Sequence, residues 1–265
     1  MWPEGRIKYT FVTMKAQPQT IQGDIIDKLN EIQLSTTTYA SKDDLEYRRI
    51  LRECDKLINV DPYTGYLTKG MARIIVGDEQ SASEDFRTAI RISPPGSMKT
   101  AEYAWCQFLV NFGKYSEAQP LLAESAEVRL GYFGGRHGLA PVVGAIQWLN
   151  RAFEEAEEMR LEYETTEDRK GVAQAAQFLS ERGVSDEKLA RILDLAGDVA
   201  RDHLLRLGKC KYGLFDFDGE MNYLVKFYVD HRDPEEAAEM TFDLCGRLAR
   251  DVSIPSDVHV TFEVV

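Results

Sequence analysis

Two glycines, Gly77 and Gly113, stand thirty-six residues apart, and the sequence around them repeats. In DPYTGYLTKGMARIIVGDEQSASEDFRTAIRISPP an apolar segment runs up to Gly77-Asp78, and another begins near Ser81. Ala82, Phe86, Ala89 and Ile90 recur there at the spacing of one helix face. Glycine takes the left-handed conformation that closes a helix. Pro94-Pro95 cannot extend the backbone ladder and ends the next one. A shift of thirty-six residues sets Gly77 on Gly113, Ala82 on Ala118, Phe86 on Leu122 and Ala89 on Ser125. The second copy, SMKTAEYAWCQFLVNFGKYSEAQPLLAESAEV, again reads helix, glycine turn, helix. A partial match precedes them, DDLEYRRILRECDKLINVDP, read as a helix ending at Asp61-Pro62. Hairpins of this kind bury their apolar faces only by stacking, so the repeat constrains the chain to a helical array.

Over residues 42–130 the pattern resembles the tetratricopeptide repeat, a helix-turn-helix unit with a usual period of about 34 residues. Gly77, Ala82, Phe86, Ala89 and Pro94 fill that family's places for turn glycine, small residue, aromatic, alanine and late proline. The second copy keeps Gly113, Ala118, Leu122 and Ser125 and lacks the proline. The first helices match less closely, with Tyr66, Lys69 and Gly70, then Glu102, Trp105 and Cys106, at the aromatic, leucine and glycine places. What the resemblance implies is a concave face lined by first helices, here Thr64, Leu67, Met71, Ile75, Thr100, Tyr103, Gln107 and Asn111. Leu67, Met71 and Ile75 are expected to pack on a neighbouring helix. Thr64, Thr100, Tyr103, Gln107 and Asn111 are the candidate partner-binding residues, because polar groups need no core.

Further along, GYFGGRHGLAP reads as a joint between helical units rather than a phosphate loop, since no GK[ST] follows its glycines. A long amphipathic helix is expected from Pro141 through Lys170, with Val143, Ile146, Leu149, Phe153, Ala156 and Leu161 inward. Two more helices follow, one over GVAQAAQFLSER and one that starts at Ser185 as N-cap and stops near Gly208. Asp194, Asp198 and Asp202 with Arg191 and Arg201 nearby read as ion pairing rather than, with His203, a metal set.

After Gly208 the period becomes alternating. Two β-rich runs meet at Asp218-Gly219, the signature of a tight hairpin. Asp233-Pro234 opens a helix whose expected buried face is Ala238, Phe242, Cys245 and Leu248, and HVTFEVV closes the chain as a strand. The fold class expected is therefore mainly α, a helical repeat array followed by a small α+β (β-β-α-β) module. Residues 1–40 hold a strand, RIKYTFVTMK, and a helix; 41–208 form the array; 209–265 form the module, whose sheet the N-terminal strand is expected to complete.

Composition bounds the function. A hydrophobic fraction of 44% and a charged fraction of 29% are those of a globular chain. No apolar run reaches the roughly 18 residues of a membrane span, and Glu4, Arg6 and Lys8 interrupt any leader-like block, so a cytoplasmic protein without membrane contact is expected. The net charge of −12 disfavours nucleic acid and favours a partner with basic patches. Cys54, Cys106, Cys210 and Cys245 are scattered without ligand spacing, so no metal or cofactor is expected. The first, second and fourth read as buried thiols. Asp216, Asp218 and Glu220 would share a strand face, yet the distal ligands of a calcium loop are missing and a turn explains them better. The expected role is a non-enzymatic scaffold or adaptor that binds a protein or peptide. The alternatives are an enzyme with an acidic, metal-dependent site at the C-terminal module, drawing on Asp216, Asp218, Glu220, His203 and His231, and a ligand- or peptide-sensing regulator. Oligomeric state is left open.

Overall fold

The computed structural model describes residues 21–35, 38–122, 138–160, 166–207, 210–229, 233–251 and 254–264. It opens with α1 (Ile21–Ser35), α2 (Leu45–Val60), α3 (Pro62–Ile75), α4 (Glu79–Arg91) and α5 (Met98–Asn111), each packed on the next. In addition α3 touches both α1 and α5, so alternate helices form one layer of stacked hairpins. Local chemistry sets the boundaries. The Asp44 carboxylate accepts from the backbone N–H of Glu46 (2.8 Å) and Tyr47 (3.2 Å) and starts α2. Asp61 serves two helices: its N–H donates to the Leu57 carbonyl (2.7 Å), and its carboxylate accepts from Thr64 N–H (3.2 Å). Gly77 (φ 68°) and Gly113 (φ 62°) form the two left-handed turns that the repeat predicts.

The second copy departs from its expected form. Its second helix, α6, spans only Tyr115–Ala118 and passes into a 3-10 turn, Gln119–Leu121, after which Leu122 is extended (φ −62°, ψ 138°). Pro120 is the cause, because it lacks an N–H for the ladder and its ring crowds the carbonyl four residues back. Ser125 lies outside the described residues, as do 131–137 of the glycine-rich joint.

Likewise the long helix expected from Pro141 to Lys170 is divided into α7 (Leu139–Val142), α8 (Ile146–Glu158) and α9 (Thr166–Glu181). Gly144 (φ 74°) makes a third turn of the same kind, and Arg160 (φ 56°) follows the end of α8. Val143, Ile146, Leu149, Phe153 and Ala156 are buried as expected, and Leu161 falls outside the described residues.

Helix α10 (Asp186–Asp202) begins at Ser185, whose hydroxyl accepts from Lys188 N–H (3.2 Å), and ends at Asp202 rather than near Gly208. One of its stripes grips the α5–α6 turn. Asp194 Oδ1 accepts from Tyr115 N–H (2.6 Å) and Ser116 N–H (3.1 Å), so α6 is capped by a carboxylate from another helix. Gly197 lies against Gly113, where a Cβ would stand 2.1 Å from the Gly113 carbonyl oxygen. Arg201 donates to the Phe112 carbonyl at the end of α5 and pairs with Asp198. At the start of the same helix, the buried Asp186 carboxylate accepts from Gln147 N–H and Trp148 N–H, both at 2.8 Å, and caps α8. The Asp/Arg stripe is thus part ion pair, as expected, and part helix cap.

Beyond α10 come β1 (Cys210–Phe217), β2 (Glu220–Val229), α11 (Pro234–Asp251) and β3 (Val258–Val264), the expected β-β-α-β order. β2 is central, antiparallel to β1 and parallel to β3. Phe217 pairs with Glu220 across a two-residue turn in which Asp218 (φ 54°) and Gly219 (φ 89°) are both left-handed, the I′ geometry. The sheet is amphipathic. Tyr223, Val225, Phe227, Val258, Val260 and Phe262 face the core, and the other face carries the Asn222–His259 hydrogen bond (3.0 Å) and the Lys226–Glu263 ion pair (2.6 Å). α9 packs on β1 and β2, while α11 lies between α10 and β3.

For α11 the expected inward face is corrected. Ala237, Met240, Leu244 and Leu248 are buried, whereas Ala238, Phe242 and Cys245 are exposed. The N-terminal run 6–15 lies outside the described residues. Buried apolar side chains from Ile25 in α1 to Phe262 in β3 form one continuous cluster. The molecule is mainly α with a small α+β module.

Two substitutions test the α10 junction. Asp194→Ala removes the cap on α6 and is expected to cost about 1–2 kcal/mol. Gly197→Ala must push two backbones apart and is expected to cost about 2 kcal/mol. Urea midpoints at unchanged m-value measure both.

Candidate binding surfaces

On α5, Tyr103, Gln107 and Asn111 occupy successive turns of one side and are linked: Gln107 Nε2 donates to the Tyr103 hydroxyl (3.3 Å), and Asn111 Nδ2 donates to the Gln107 carbonyl (2.8 Å). Thr64 sits at the start of α3, its hydroxyl donating to Asp61 Oδ2 (2.6 Å). Thr64, Gln107 and Asn111 are buried; Thr100 and Tyr103 are half-buried. Tyr63 donates to the Ser97 carbonyl (2.9 Å) and holds the start of α5 against α3. Leu67, Met71 and Ile75 are buried, in keeping with the packing role expected of them.

A larger opening lies at the other end of these helices. It is a cleft of about 730 Å³ between segment 38–40, the Gly77 turn, the C-terminal ends of α5 and α10, and the first turn of α11. Segment 38–40 is stitched in place by a bridge between Thr38 and Leu205 and by Ala40 N–H donating to the Ile75 carbonyl (2.9 Å). Tyr39 stacks on Phe112, with ring centroids 5.9 Å apart, and lies over Gly77, where a Cβ would stand 3.2 Å from the ring. Glu79, Arg201, Asp202, His203 and Glu236 supply the polar lining. These charges are largely engaged already: Glu79 with Lys114, Asp202 with Arg247 (2.7 Å), and His203 Nδ1 with Glu236 Oε1 (3.5 Å).

The three acids of FDFDGE do not converge. Asp216 accepts from Gly219 N–H (2.7 Å) and braces the turn, Asp218 occupies the turn itself, and Glu220 begins β2; all three are exposed. His231 is outside the described residues. Among the described residues no group of three or more His, Cys, Asp or Glu side chains could hold a metal ion, and no helix is long and apolar enough to cross a membrane. Burial pushes the Cys54 thiol up to about 11 and Cys210 to about 12.

The cleft was missed by sequence reasoning because its residues come from distant segments with no common spacing; only the Gly77 turn signals part of it. No protein-family model, no curated protein and no solved structure matches the chain.

Alkaline titration tests the surroundings of two of these side chains. Burial raises Tyr39 and Tyr103 from 10.0 to about 12. A neutral phenol favoured by the fold contributes stability below pH 10 that is lost as pH rises toward 12. Melting temperature followed upward from about pH 9 is expected to fall less steeply in Tyr39→Phe and Tyr103→Phe.

Proposed function

We propose that this chain is a non-enzymatic interaction protein whose tetratricopeptide-like hairpins bind a partner protein or peptide, acting as a scaffold or adaptor. The observation that carries the reading is the recurrent turn. Val76, Gly77 and Asp78 have φ values of −103°, 68° and −85°, and Phe112, Gly113 and Lys114 have −90°, 62° and −108°, at the thirty-six-residue period. Turns of the same hand at a fixed period favour stacked hairpins, whose extended surfaces repeat proteins use for recognition. Two contact regions fit a ligand: the Thr100–Tyr103 side of α5 and the cleft beside Tyr39. The net charge of −12 favours a partner with basic patches.

The experiment is a crosslinked pull-down followed by affinity measurement with each purified partner. Charge reversal at the cleft (Glu236→Lys) or bulk on α5 (Thr100→Lys) is expected to weaken binding about tenfold or more. Glu154→Lys, on the exposed side of α8, is expected to leave it unchanged. A partner bound equally by all three variants, or no partner after crosslinking, overturns the reading.

A further inference from the structure

Helix α11 carries two apolar stripes. Ala237, Met240, Leu244 and Leu248 are buried in the cluster shared with the sheet and α10. On a solvent-facing side of the helix Ala238, Phe242, Cys245 and Ala249 follow at spacings of four, three and four, the pattern of a two-helix seam. All four are exposed, Phe242 to 77%.

Gly246, one turn after Phe242, is equally unexplained from within the chain. Glycine is disfavoured in a helix interior relative to alanine, yet its backbone needs no left-handed freedom. A Cβ there would meet no atom within 4 Å. An exposed phenylalanine and an unneeded glycine on adjacent turns are a knob and a hole.

We propose that this face of α11 is a self-association surface, on which a second copy of the chain packs its own α11 antiparallel about a two-fold axis near Leu244. That register lays Phe242 of each copy over Cys245 and Gly246 of the other and sets Ala238 against Ala249. It also brings exposed Glu239 beside exposed Arg250 of the second copy, so opposite charges meet on the flanks. A parallel pair would leave Glu239 and Arg250 about three turns apart and align the helix dipoles unfavourably. A two-fold contact requires a patch that complements itself, and this stripe does so in shape and in charge. The seam is short, so the dimer is weak and concentration-dependent. The surface is separate from the cleft lining and from α5, and its existence does not depend on the proposed partner binding.

Sedimentation velocity of the full chain, from roughly 1 μM to 1 mM, is expected to pass from monomer to dimer. Phe242→Glu, at a largely exposed position, is expected to stay monomeric throughout. Gly246→Leu fills the hole and is expected to do the same without lowering the melting temperature. Diamide, which takes two hydrogens from a pair of thiols, is expected to link two copies through Cys245. Cys245→Ser is expected to give no such product, and Phe242→Glu about tenfold less; Cys54, Cys106 and Cys210 are buried and do not compete. A wild-type chain that remains monomeric over the whole range, or a dimer that persists in Phe242→Glu, overturns the proposal.

Discussion

Backbone N–H groups at the start of a helix must find acceptors, and in this molecule α10 supplies them to two other helices. Asp194, Gly197 and Arg201, at spacings of three and four, meet the α5–α6 turn as acceptor, close contact and donor in turn. Asp186 does the same for α8 and adds a buried charge, whose carboxyl burial pushes up while its two N–H partners hold it down. Gln119 strengthens the junction by donating to the carbonyls of Val143 and Asp186, both at 2.9 Å. These contacts fix the angle between the repeat layer and the later helices. The sheet then completes the packing, with Phe227 of β2 reaching Tyr115 of α6 at 6.0 Å between ring centroids.

What could be read from the sequence is what local chemistry decides. Ser185 and Asp218-Gly219 act on neighbours within three residues, and each sits where its spacing places it. Pro120 and Gly144 are also local signals, but periodicity on both sides of them masks their effect. Other features have no local signature. Asp194 caps a helix 79 residues earlier in the chain, and nothing around it distinguishes a cap from an ion-pairing residue. The phase of α11 fails for a different reason: both of its stripes have helical spacing, and only the position of the sheet and α10 decides which is covered.

The candidate surfaces differ in the same way. That Tyr103, Gln107 and Asn111 share one helix face was legible from their spacing, and their hydrogen bonds follow it; the burial of Gln107 and Asn111 was not. The cleft joins the end of α10 to a segment more than 160 residues earlier, near Thr38, and becomes a site only once the α10 junction is closed. Its position explains why polar groups gather there: the end of α5 presents the Phe112 carbonyl to Arg201, and His203 caps the end of α10 beside Glu236.

The two ends of the α3–α4 hairpin leave very different room for the chain to vary in length. At Asp61 one residue closes α2 and opens α3, with backbone and side chain both committed, so an added residue would have to dismantle a cap. At Pro94–Gly96 the chain is exposed, and Gly96 (φ 87°) has no atom within 4 Å of where a side chain would begin. Insertions between helices are cheap only where the backbone is unencumbered. A fused domain, an epitope tag or an additional loop residue belongs at the second place and would be rejected at the first.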